Sequence, residues 1–416
     1  MRAILLLALA LRLGVVSMVL FLYPQNWLFS KSPDLVFLAR SLASGRGLSS
    51  PFGGSTGPTA FLAPGYPAVL GLIFRLFGSY SFTSSAVIMG LQTLFAVLTV
   101  AVIMHVCCRL FGPPAAKVAG TFWAVSLPLL WLPAVLWETG LSTLLLVGMV
   151  ALALWVADKP AKGNWLVMGA YSGLAMLVNP SLMLALFAIF CWTAHQSRLL
   201  WRWGPQMCLL TWLAVFTPWP LRNAGVLHVF IPLRSNFGYE VWQGNRPGAR
   251  SVFDGTNEPL SNNREYRNYV TMGEAGYMRY KGRLARDYIR THPGEFIKLS
   301  AERAARFWTG SGFAVNSGVV ELHAVLTSLL GLAGLAALCK QRRAVAVRFL
   351  LPLLIFPLPY YITHAEFRFR LVLDPLLTIL GAYAVTQAGS YWQIRRGAGR
   401  TTFTSKACYS GSIGRS

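Results

Sequence analysis

The sequence predicts an all-α polytopic membrane protein, and three observations carry that prediction. Of the 416 residues, 55% are hydrophobic and only 12% are charged, whereas a soluble domain carries about 25% charged residues. Several runs of about 20 apolar residues follow one another, and each is long enough to cross a hydrocarbon core about 30 Å thick. Basic residues gather in the short segments between these runs, as the positive-inside rule predicts for the cytoplasmic loops of such proteins.

The apolar runs predict about ten transmembrane helices. Several of them are short or contain proline or glycine, which membrane helices tolerate when neighbouring helices satisfy the freed backbone groups. The predicted spans are 3–23, 82–108, 118–137, 139–157, 164–179, 181–196, 204–220, 318–338, 347–363 and 371–389.

The distribution of basic residues predicts an N-terminus in the cytoplasm. With that orientation every short basic loop lies on the cytoplasmic side. The residues concerned are Arg2, Arg109, Lys117, Lys159, Lys162, Arg198, Arg202, Lys340, Arg342, Arg343, Arg348, Arg395, Arg396 and Arg400. We interpret the first apolar run as an uncleaved helix rather than a signal peptide, because Arg12 interrupts it and no small-residue cleavage site precedes Tyr23.

This topology divides the chain into four parts. Residues 1–220 form an N-terminal transmembrane module that includes a first outer loop, 24–80. Residues 221–317 form an outer, periplasmic region, residues 318–390 form the C-terminal transmembrane helices, and 391–416 form a cytoplasmic tail whose composition predicts disorder. We expect an interfacial helix within 61–78 and two outer helices at 276–290 and 295–308.

The net charge of +23 indicates contact with anionic lipid head groups. Nucleic acid is excluded as a partner because the basic residues are spread over many loops between apolar runs. The sequence contains no P-loop, no dinucleotide-binding GxGxxG before a helix and no HExxH.

The acidic residues are few, and their distribution points to a site on the outer face. The chain has fourteen, and Asp34 is the only one in the first 137 residues. The topology places Asp34, Glu138 and Glu366 at outer ends of helices, although they are far apart in sequence. Because an ionisable group at membrane depth costs roughly 3 kcal/mol, such groups are usually paired or functional.

An outer-face site has no access to cytosolic nucleotide donors, so an activated substrate must arrive on a lipid carrier, or the protein must be a transporter. Group transfer from a polyprenyl phosphate needs a general base, cationic groups for the phosphate and an apolar groove for the chain. Asp34 suits the base, with a plain helix N-cap as the alternative. Glu138 suits donor orientation or a divalent cation, with helix capping as its alternative.

Two arginine-containing stretches are candidates for the phosphate. Arg222 and Asn223 follow the seventh predicted span, where an interfacial arginine is the alternative interpretation. In the Glu366–Arg370 stretch, an extended backbone would put Glu366, Arg368 and Arg370 on one side. A pair of guanidinium groups can bind a phosphate through several hydrogen bonds.

A set of short motifs in a fixed order resembles a known family. The motifs follow Asp34 as Ala63-Pro64-Gly65-Tyr66-Pro67, Pro218-Trp219-Pro220-Leu221-Arg222-Asn223, Asn236-Phe237-Gly238, Trp242-Gln243-Gly244-Asn245 and His364-Ala365-Glu366-Phe367-Arg368-Phe369-Arg370. Their order over about residues 1–390 is similar to that of the protein O-mannosyltransferase-like family, which includes the aminoarabinose–lipid A transferases and has the C-type glycosyltransferase (GT-C) fold.

The resemblance implies a polyprenyl-phosphate-linked sugar donor and Asp34 as the catalytic base. It implies donor- or acceptor-binding roles for Glu138, Tyr66, Asn223, Asn245 and Glu366. Many relatives carry paired acids in the first outer loop, whereas Leu35 follows Asp34 here, so the use of a metal, with Glu138 as a ligand, is left open.

We therefore predict a glycosyltransferase of the inner membrane, acting on a protein, lipid or glycan hydroxyl at the periplasmic face. Arg222, Arg368 and Arg370 are its predicted phosphate-binding residues. The alternative is a transporter or flippase for a lipid-linked or anionic substrate, which would place charged residues near the bilayer midplane and show inverted repeats.

Overall fold

The computed structural model describes residues 1–23, 27–197, 203–311 and 317–395. Within these ranges the chain forms nineteen α-helices and no β-strand. The helices are α1 (Arg2–Leu22), α2 (Pro33–Ala43), α3 (Gly65–Phe77), α4 (Phe82–Phe111), α5 (Pro113–Val125), α6 (Leu127–Trp131), α7 (Thr139–Asp158), α8 (Lys162–Val178), α9 (Met183–Gln196), α10 (Trp203–Phe216), α11 (Pro218–Leu227), α12 (Phe237–Gly244), α13 (Asn263–Thr291), α14 (Pro293–Thr309), α15 (Ser317–Gln341), α16 (Arg343–Ile355), α17 (Leu358–Ile362), α18 (Phe367–Leu371) and α19 (Asp374–Arg395).

The helices confirm an all-α membrane architecture. Five segments of the described chain are long and apolar enough to cross a bilayer on their own: α1, α4, α7, most of α15, and the segment 343–362 that contains α16 and α17. Helices α5 and α6 qualify together as one span bent by 59°. The remaining predicted spans form α8, α9, α10 and α19, of which the first three have 17, 14 and 14 residues.

The bend between α5 and α6 explains the one arginine inside the first apolar run. Ser126 interrupts the helical backbone, and the carbonyl groups at the end of α5 then lack partners within the helix. Arg12, which is fully buried, donates hydrogen bonds to the carbonyl oxygens of Trp123 and Ala124, 3.0 and 3.2 Å away. Arg12 therefore donates hydrogen bonds to carbonyl groups that the break between α5 and α6 leaves without helical partners.

Two helix pairs approach closely at glycines. A Cβ atom at Gly169 of α8 would lie within 3.0 Å of the backbone of Cys208 in α10, and one at Gly334 of α15 would overlap the backbone of Leu380 in α19. Such small residues let helix backbones pack tightly inside a membrane, where the hydrophobic effect does not drive association.

The outer region is mainly helical, as predicted, and it includes α12, α13 and α14. The helix predicted at 276–290 begins earlier, at Asn263, because the side chain of Asn262 caps the Arg264 and Glu265 amides. Gly273, at φ +66°, kinks α13. The second outer helix, α14, matches its predicted range to within two residues.

The first outer loop is fastened to this region by a buried carboxylate and by aromatic packing. Glu274, directly after the kink, accepts hydrogen bonds from the Thr59 hydroxyl, the Ala60 amide at 2.7 Å and the Tyr269 hydroxyl at 2.8 Å. Phe52 packs edge-on against Phe61 and Tyr269 with ring centres 4.9 Å away in both contacts. These contacts hold the loop that carries Asp34 against α13.

Residues 65–77 form the helix α3 predicted in the first outer loop, and α19 continues to Arg395, past the predicted end of the last span. The first residues of the predicted tail 391–416 therefore belong to this helix as far as Arg395. The basic residues Arg198, Arg202, Arg396 and Arg400 and the rest of that tail, 396–416, lie outside the described residues.

Candidate functional site

A cavity of about 520 Å³ opens where the first outer loop, the outer region and the segment 359–369 meet. It brings together side chains from across the chain. The acidic, basic and histidine residues that line it are Asp34, Glu138, Arg234, Glu240, Glu258, His364 and Arg368. The predicted juxtaposition of Asp34, Glu138 and Arg368 is therefore present in the structure.

Asp34 reaches the cavity from the first turn of α2. Pro33 begins the helix, and Ser32 before it donates a hydrogen bond to the carbonyl oxygen of Leu136, 2.8 Å away, which ties this turn to the chain just before Glu138. Asp34 is the second residue of the helix, and the N-cap position belongs to Ser32. Asp34 is therefore not the N-cap of α2, and that alternative interpretation is not supported.

The pKa of Asp34 is raised, chiefly because burial disfavours the charged carboxylate. The backbone amide of Leu35, Arg368 and Arg234 act in the opposite direction, while Glu138 adds to the increase. A carboxylate with a raised pKa is a stronger base than an exposed one, provided that it is ionised at the working pH.

Arg368 is held firmly at the cavity wall. Its Nε lies 2.5 Å from Oε2 of Glu366, and its Nη2 donates to Oε1 of the same carboxylate at 3.2 Å. The guanidinium also stacks over the ring of Trp137, 5.3 Å from its centre, immediately before Glu138 in the chain. The pKa of Arg368 is raised because the attraction of Glu366, Glu138 and Asp34 outweighs the effect of burial.

Glu366 contacts the cavity residues Arg368 and His364 without being one of its lining residues. Burial raises the pKa of Glu366, but the neighbouring charge of Arg368 and the contact with His364 outweigh it and hold that pKa at about 2. Glu366 is therefore ionised, and it fixes the orientation of Arg368.

Arg370 does not share the cavity, which corrects the prediction that it lies beside Arg368. Residues Phe367–Leu371 form a helix, so side chains two positions apart point about 200° from each other instead of to the same side as in an extended strand. Arg370 is fully buried, pairs with Asp374 and donates to Thr327 at 2.6 Å. Asp374 in turn contacts Nε2 of His323 at 2.8 Å.

Arg222 and Asn223 also lie away from the cavity. Arg222 donates to the carbonyl oxygens of Leu48 and Thr59, at 2.8 and 2.7 Å, and Asn223 donates to that of Ile231 at 3.0 Å. The two Arg222 bonds join α11 to the first outer loop, and the Asn223 bond holds the segment that follows α11. Neither residue lines the cavity. The phosphate-binding role predicted for Arg222 and the ligand-binding role predicted for Asn223 therefore have no support from its lining.

Tyr66 and Asn245 have structural partners as well. The hydroxyl of Tyr66 lies 3.3 Å from the amide oxygen of Gln92, and Asn245 donates to the carbonyl oxygens of Val241 and Ile362 at 2.7 and 2.8 Å. Both side chains are buried and neither lines the cavity. The ligand-binding roles predicted for Tyr66 and Asn245 therefore have no counterpart in the cavity lining.

Glu138 lines the cavity at the start of α7. It occupies the N-cap position, but its side chain makes no capping hydrogen bond. The helix-cap alternative for Glu138 is thus not realised, and the carboxylate is available to the cavity.

Three lining residues were missed by sequence reasoning. Arg234 donates through Nε to the carbonyl oxygen of Phe61, 3.1 Å away, and Glu240 accepts from Asn236 at 2.7 Å. The pKa of Glu258 is raised to about 8 by burial and by the neighbouring charge of Asp34. All three belong to the long outer region, and the membrane topology does not determine where a side chain of that region lies. The only indication of them in the sequence was that the chain contains few acidic residues.

An apolar groove of about 250 Å³ adjoins the cavity. It lies among α8, α9 and α10, and two residues, Met183 and Leu184, line both spaces. Its other walls include Phe187, Leu209 and Trp212. The charged cavity therefore continues into an almost entirely apolar surface.

The cavity does not have the geometry of a metal site. In the described ranges, no three His, Cys, Asp or Glu side chains converge as metal ligands would. The two nitrogens of His364 face different carboxylates: Nδ1 lies 3.7 Å from Glu240 and Nε2 lies 3.5 Å from Glu366. The possible metal role of Glu138 thus finds no set of partner ligands.

Comparison with known proteins agrees with this fold. Residues 62–221 match the family model described as dolichyl-phosphate-mannose-protein mannosyltransferase. A search of curated proteins gave no match.

Similar solved structures include the oligosaccharyltransferase of Archaeoglobus fulgidus. With an acceptor peptide containing the NVT sequon tethered to it, that protein is 14% identical, with a TM-score of 0.54 over 96% of this chain and 51% of that one. Its complex with an inhibitory peptide and a dolichol-phosphate gives 12% identity and a TM-score of 0.51, covering 97% and 52% of the two chains. A further structure of it contains Zn and sulfate.

ArnT from Cupriavidus metallidurans bound to undecaprenyl phosphate is 14% identical, with a TM-score of 0.38, covering 93% of this chain and 79% of that one. The chain spans about half the length of the archaeal oligosaccharyltransferase. The likeness to that enzyme shows that this chain has the GT-C fold, as its motifs predicted.

Proposed function

We propose that this protein is a membrane glycosyltransferase that moves a sugar from a polyprenyl-phosphate-linked donor to a hydroxyl group of a protein, lipid or glycan acceptor. The observation that carries the proposal is one cavity that contains Asp34, Arg234 and Arg368 and adjoins an apolar groove. The family model and the polyprenyl phosphates bound by the structural relatives support it.

The donor has two chemically different ends, and the two spaces suit them. We place the prenyl chain in the groove beside Met183 and Leu184, and the phosphate at Arg234 and Arg368. Guanidinium groups stabilise a departing phosphate through charge and directed hydrogen bonds. We assign Glu138 and Glu240, which line the cavity, to accept hydrogen bonds from sugar hydroxyls.

Asp34 acts as the general base in this scheme. It takes the proton of the acceptor hydroxyl as that oxygen attacks the anomeric carbon. The bond between this carbon and the phosphate oxygen breaks, and the polyprenyl phosphate leaves with the electron pair. A single displacement forms the new bond opposite the leaving group, so we propose inversion at the anomeric carbon.

The distribution of basic loops supports a site on the periplasmic face of a bacterial inner membrane. On that side the donor must be delivered already attached to its lipid. The acceptor must present a hydroxyl at the membrane surface or be carried on a lipid itself.

The test is turnover by the purified protein in detergent, where no membrane gradient exists. Polyprenyl-phosphate sugars are supplied with candidate acceptors, and the release of polyprenyl phosphate is measured by mass spectrometry. The proposal predicts release that depends on both donor and acceptor. Two results together would favour a transporter over an enzyme: the folded protein consumes no such donor, and it moves the donor across proteoliposome membranes when a gradient is applied.

A further inference from the structure

The cavity concentrates negative charge in a strongly basic chain. The net charge is +23 and only fourteen residues are acidic, yet Asp34, Glu138, Glu240 and Glu258 all line this one space. A phosphate-linked substrate would add further negative charge. A site of this composition needs a cation close to its carboxylates, because like charges in a partly buried space repel strongly.

Arg368 already supplies such a cation. Its guanidinium interacts electrostatically with Glu366, Glu138 and Asp34. Two of its nitrogens face Glu366, at 2.5 and 3.2 Å, and its plane lies over Trp137. The side chain remains 27% exposed, so part of the guanidinium faces the cavity. A guanidinium has five N–H donors, which leaves others free for a ligand.

A divalent cation would need ligands that this site does not bring together. Leu35 stands beside Asp34 and offers no second carboxylate there. The two nitrogens of His364 face carboxylates on different sides, Glu240 and Glu366, so these three groups do not converge on one point. Within the described ranges, no three His, Cys, Asp or Glu side chains converge so that they could bind a metal ion. An ion beside Asp34 and Glu138 would also meet the positive charge of Arg368.

We infer that Arg368 takes the place of a divalent cation between Asp34 and Glu138, and that this site works without a metal. The guanidinium neutralises both carboxylates and offers hydrogen bonds to the phosphate, two tasks that a metal ion performs in metal-dependent sites. A structure of the archaeal relative contains Zn, whereas the described residues of this chain do not form a set of three metal ligands. The part of the inference that concerns catalysis rests on the proposed function.

The binding experiment does not depend on activity. Mn²⁺ is titrated into purified wild-type protein and into Arg368→Ala, and free Mn²⁺ is followed by electron paramagnetic resonance. Removal of the Arg368 guanidinium leaves Arg234 as the one arginine that lines the cavity. The negative charge of Asp34 and Glu138 is then less neutralised, so we expect Arg368→Ala to bind Mn²⁺ about tenfold or more tightly than wild type. Adding Glu138→Gln to Arg368→Ala should abolish that gain.

Two further variants separate this effect from misfolding and from loss of general positive charge. Arg368→Lys keeps a charge at the site and should bind Mn²⁺ as weakly as wild type. Arg283→Ala removes an exposed arginine of α13 outside the cavity and should also behave as wild type. Stoichiometric binding of Mn²⁺ or Zn²⁺ by wild type, or no tighter binding by a monodisperse Arg368→Ala protein, would overturn the inference.

The activity experiment adds a chelator to the transfer assay. Wild-type protein that has been dialysed against EDTA should keep its rate. A drop of about tenfold or more that Mn²⁺ or Zn²⁺ restores would contradict the inference while leaving the glycosyltransferase proposal intact. If no donor is consumed with or without metal, but Mn²⁺ binding follows the expected pattern, the proposed function fails and the cation role of Arg368 stands.

Discussion

Asp34 owes its chemistry to neighbours that are far away in sequence. Burial raises the pKa of Asp34, whereas Arg368 favours the ionised form and so lowers it. A general base works only when ionised, so the transfer rate should fall as the pH drops through the pKa of Asp34. The balance between burial and Arg368 therefore sets the acid side of the pH–rate profile.

The Arg368→Gln variant tests that balance. Without the guanidinium the pKa of Asp34 rises further, so the acid side of the pH dependence of kcat/KM should move to higher pH, in addition to any loss of maximal rate. The measurement is a pH profile of transfer by the residual activity of the variant, with Arg283→Gln as a control that should keep the wild-type profile. An unchanged acid side of the profile would show that Arg368 does not act on the base, and a shift to lower pH would contradict the sign of its effect.

Sequence reasoning identified Asp34, Glu138 and Arg368 because each follows or precedes a transmembrane helix on the same side. It failed for Arg370 because the prediction used an extended backbone, whereas Phe367–Leu371 is one short helix turned by about 100° per residue. It missed Arg234, Glu240 and Glu258 because their positions depend on how the outer region folds back over the membrane helices. Nothing in the spacing of these three residues fixes that path.

The kink in α13 is the element that presents Glu274 to the first outer loop. Gly273 has φ +66° and ψ +164°, a conformation that is essentially restricted to glycine. The following residue, Glu274, then binds Thr59, Ala60 and Tyr269. The sequence predicted a helix only from Gly276 onward, and the kink lies just before that predicted start.

Gly273→Ala should destabilise the protein by about 1–3 kcal/mol, because a Cβ atom strains this backbone conformation although no neighbour lies within 4 Å of it. The measurement is thermal unfolding in detergent, combined with the transfer rate. Gly276→Ala is the matched control: it lies in helical backbone, its Cβ would be 3.5 Å from Met272, and we expect no loss. Equal effects of both substitutions would argue against a required kink.

The helical fold was the part most accessible from sequence. Hydrophobic runs predicted the helices, and the GT-C fold of the archaeal relative agrees with them. The bend between α5 and α6 was not predictable from hydropathy, because it depends on Arg12 of another helix supplying partners for the carbonyl oxygens of Trp123 and Ala124.

The predicted sidedness can be tested with single cysteines on exposed positions. Asn245 is buried, so the exposed Arg290 at the end of α13 is the better outer site, and Lys159 is a suitable inner one. A membrane-impermeant maleimide applied to intact cells should label Arg290→Cys above the wild-type background and leave Lys159→Cys at background until the cells are opened. The reverse pattern would invert the topology and place the cavity in the cytoplasm.

The most direct test of the account is the transfer rate of Asp34→Asn compared with Asp287→Asn, both purified and supplied with a donor that the wild type uses. Asp287 is exposed on α13 and lies outside the cavity, so its replacement controls for the loss of one carboxylate. We predict that Asp34→Asn loses about 10²-fold or more of the rate while it still binds the donor, and that Asp287→Asn matches wild type. Near-normal transfer by folded Asp34→Asn protein would contradict the assignment of Asp34 as the base.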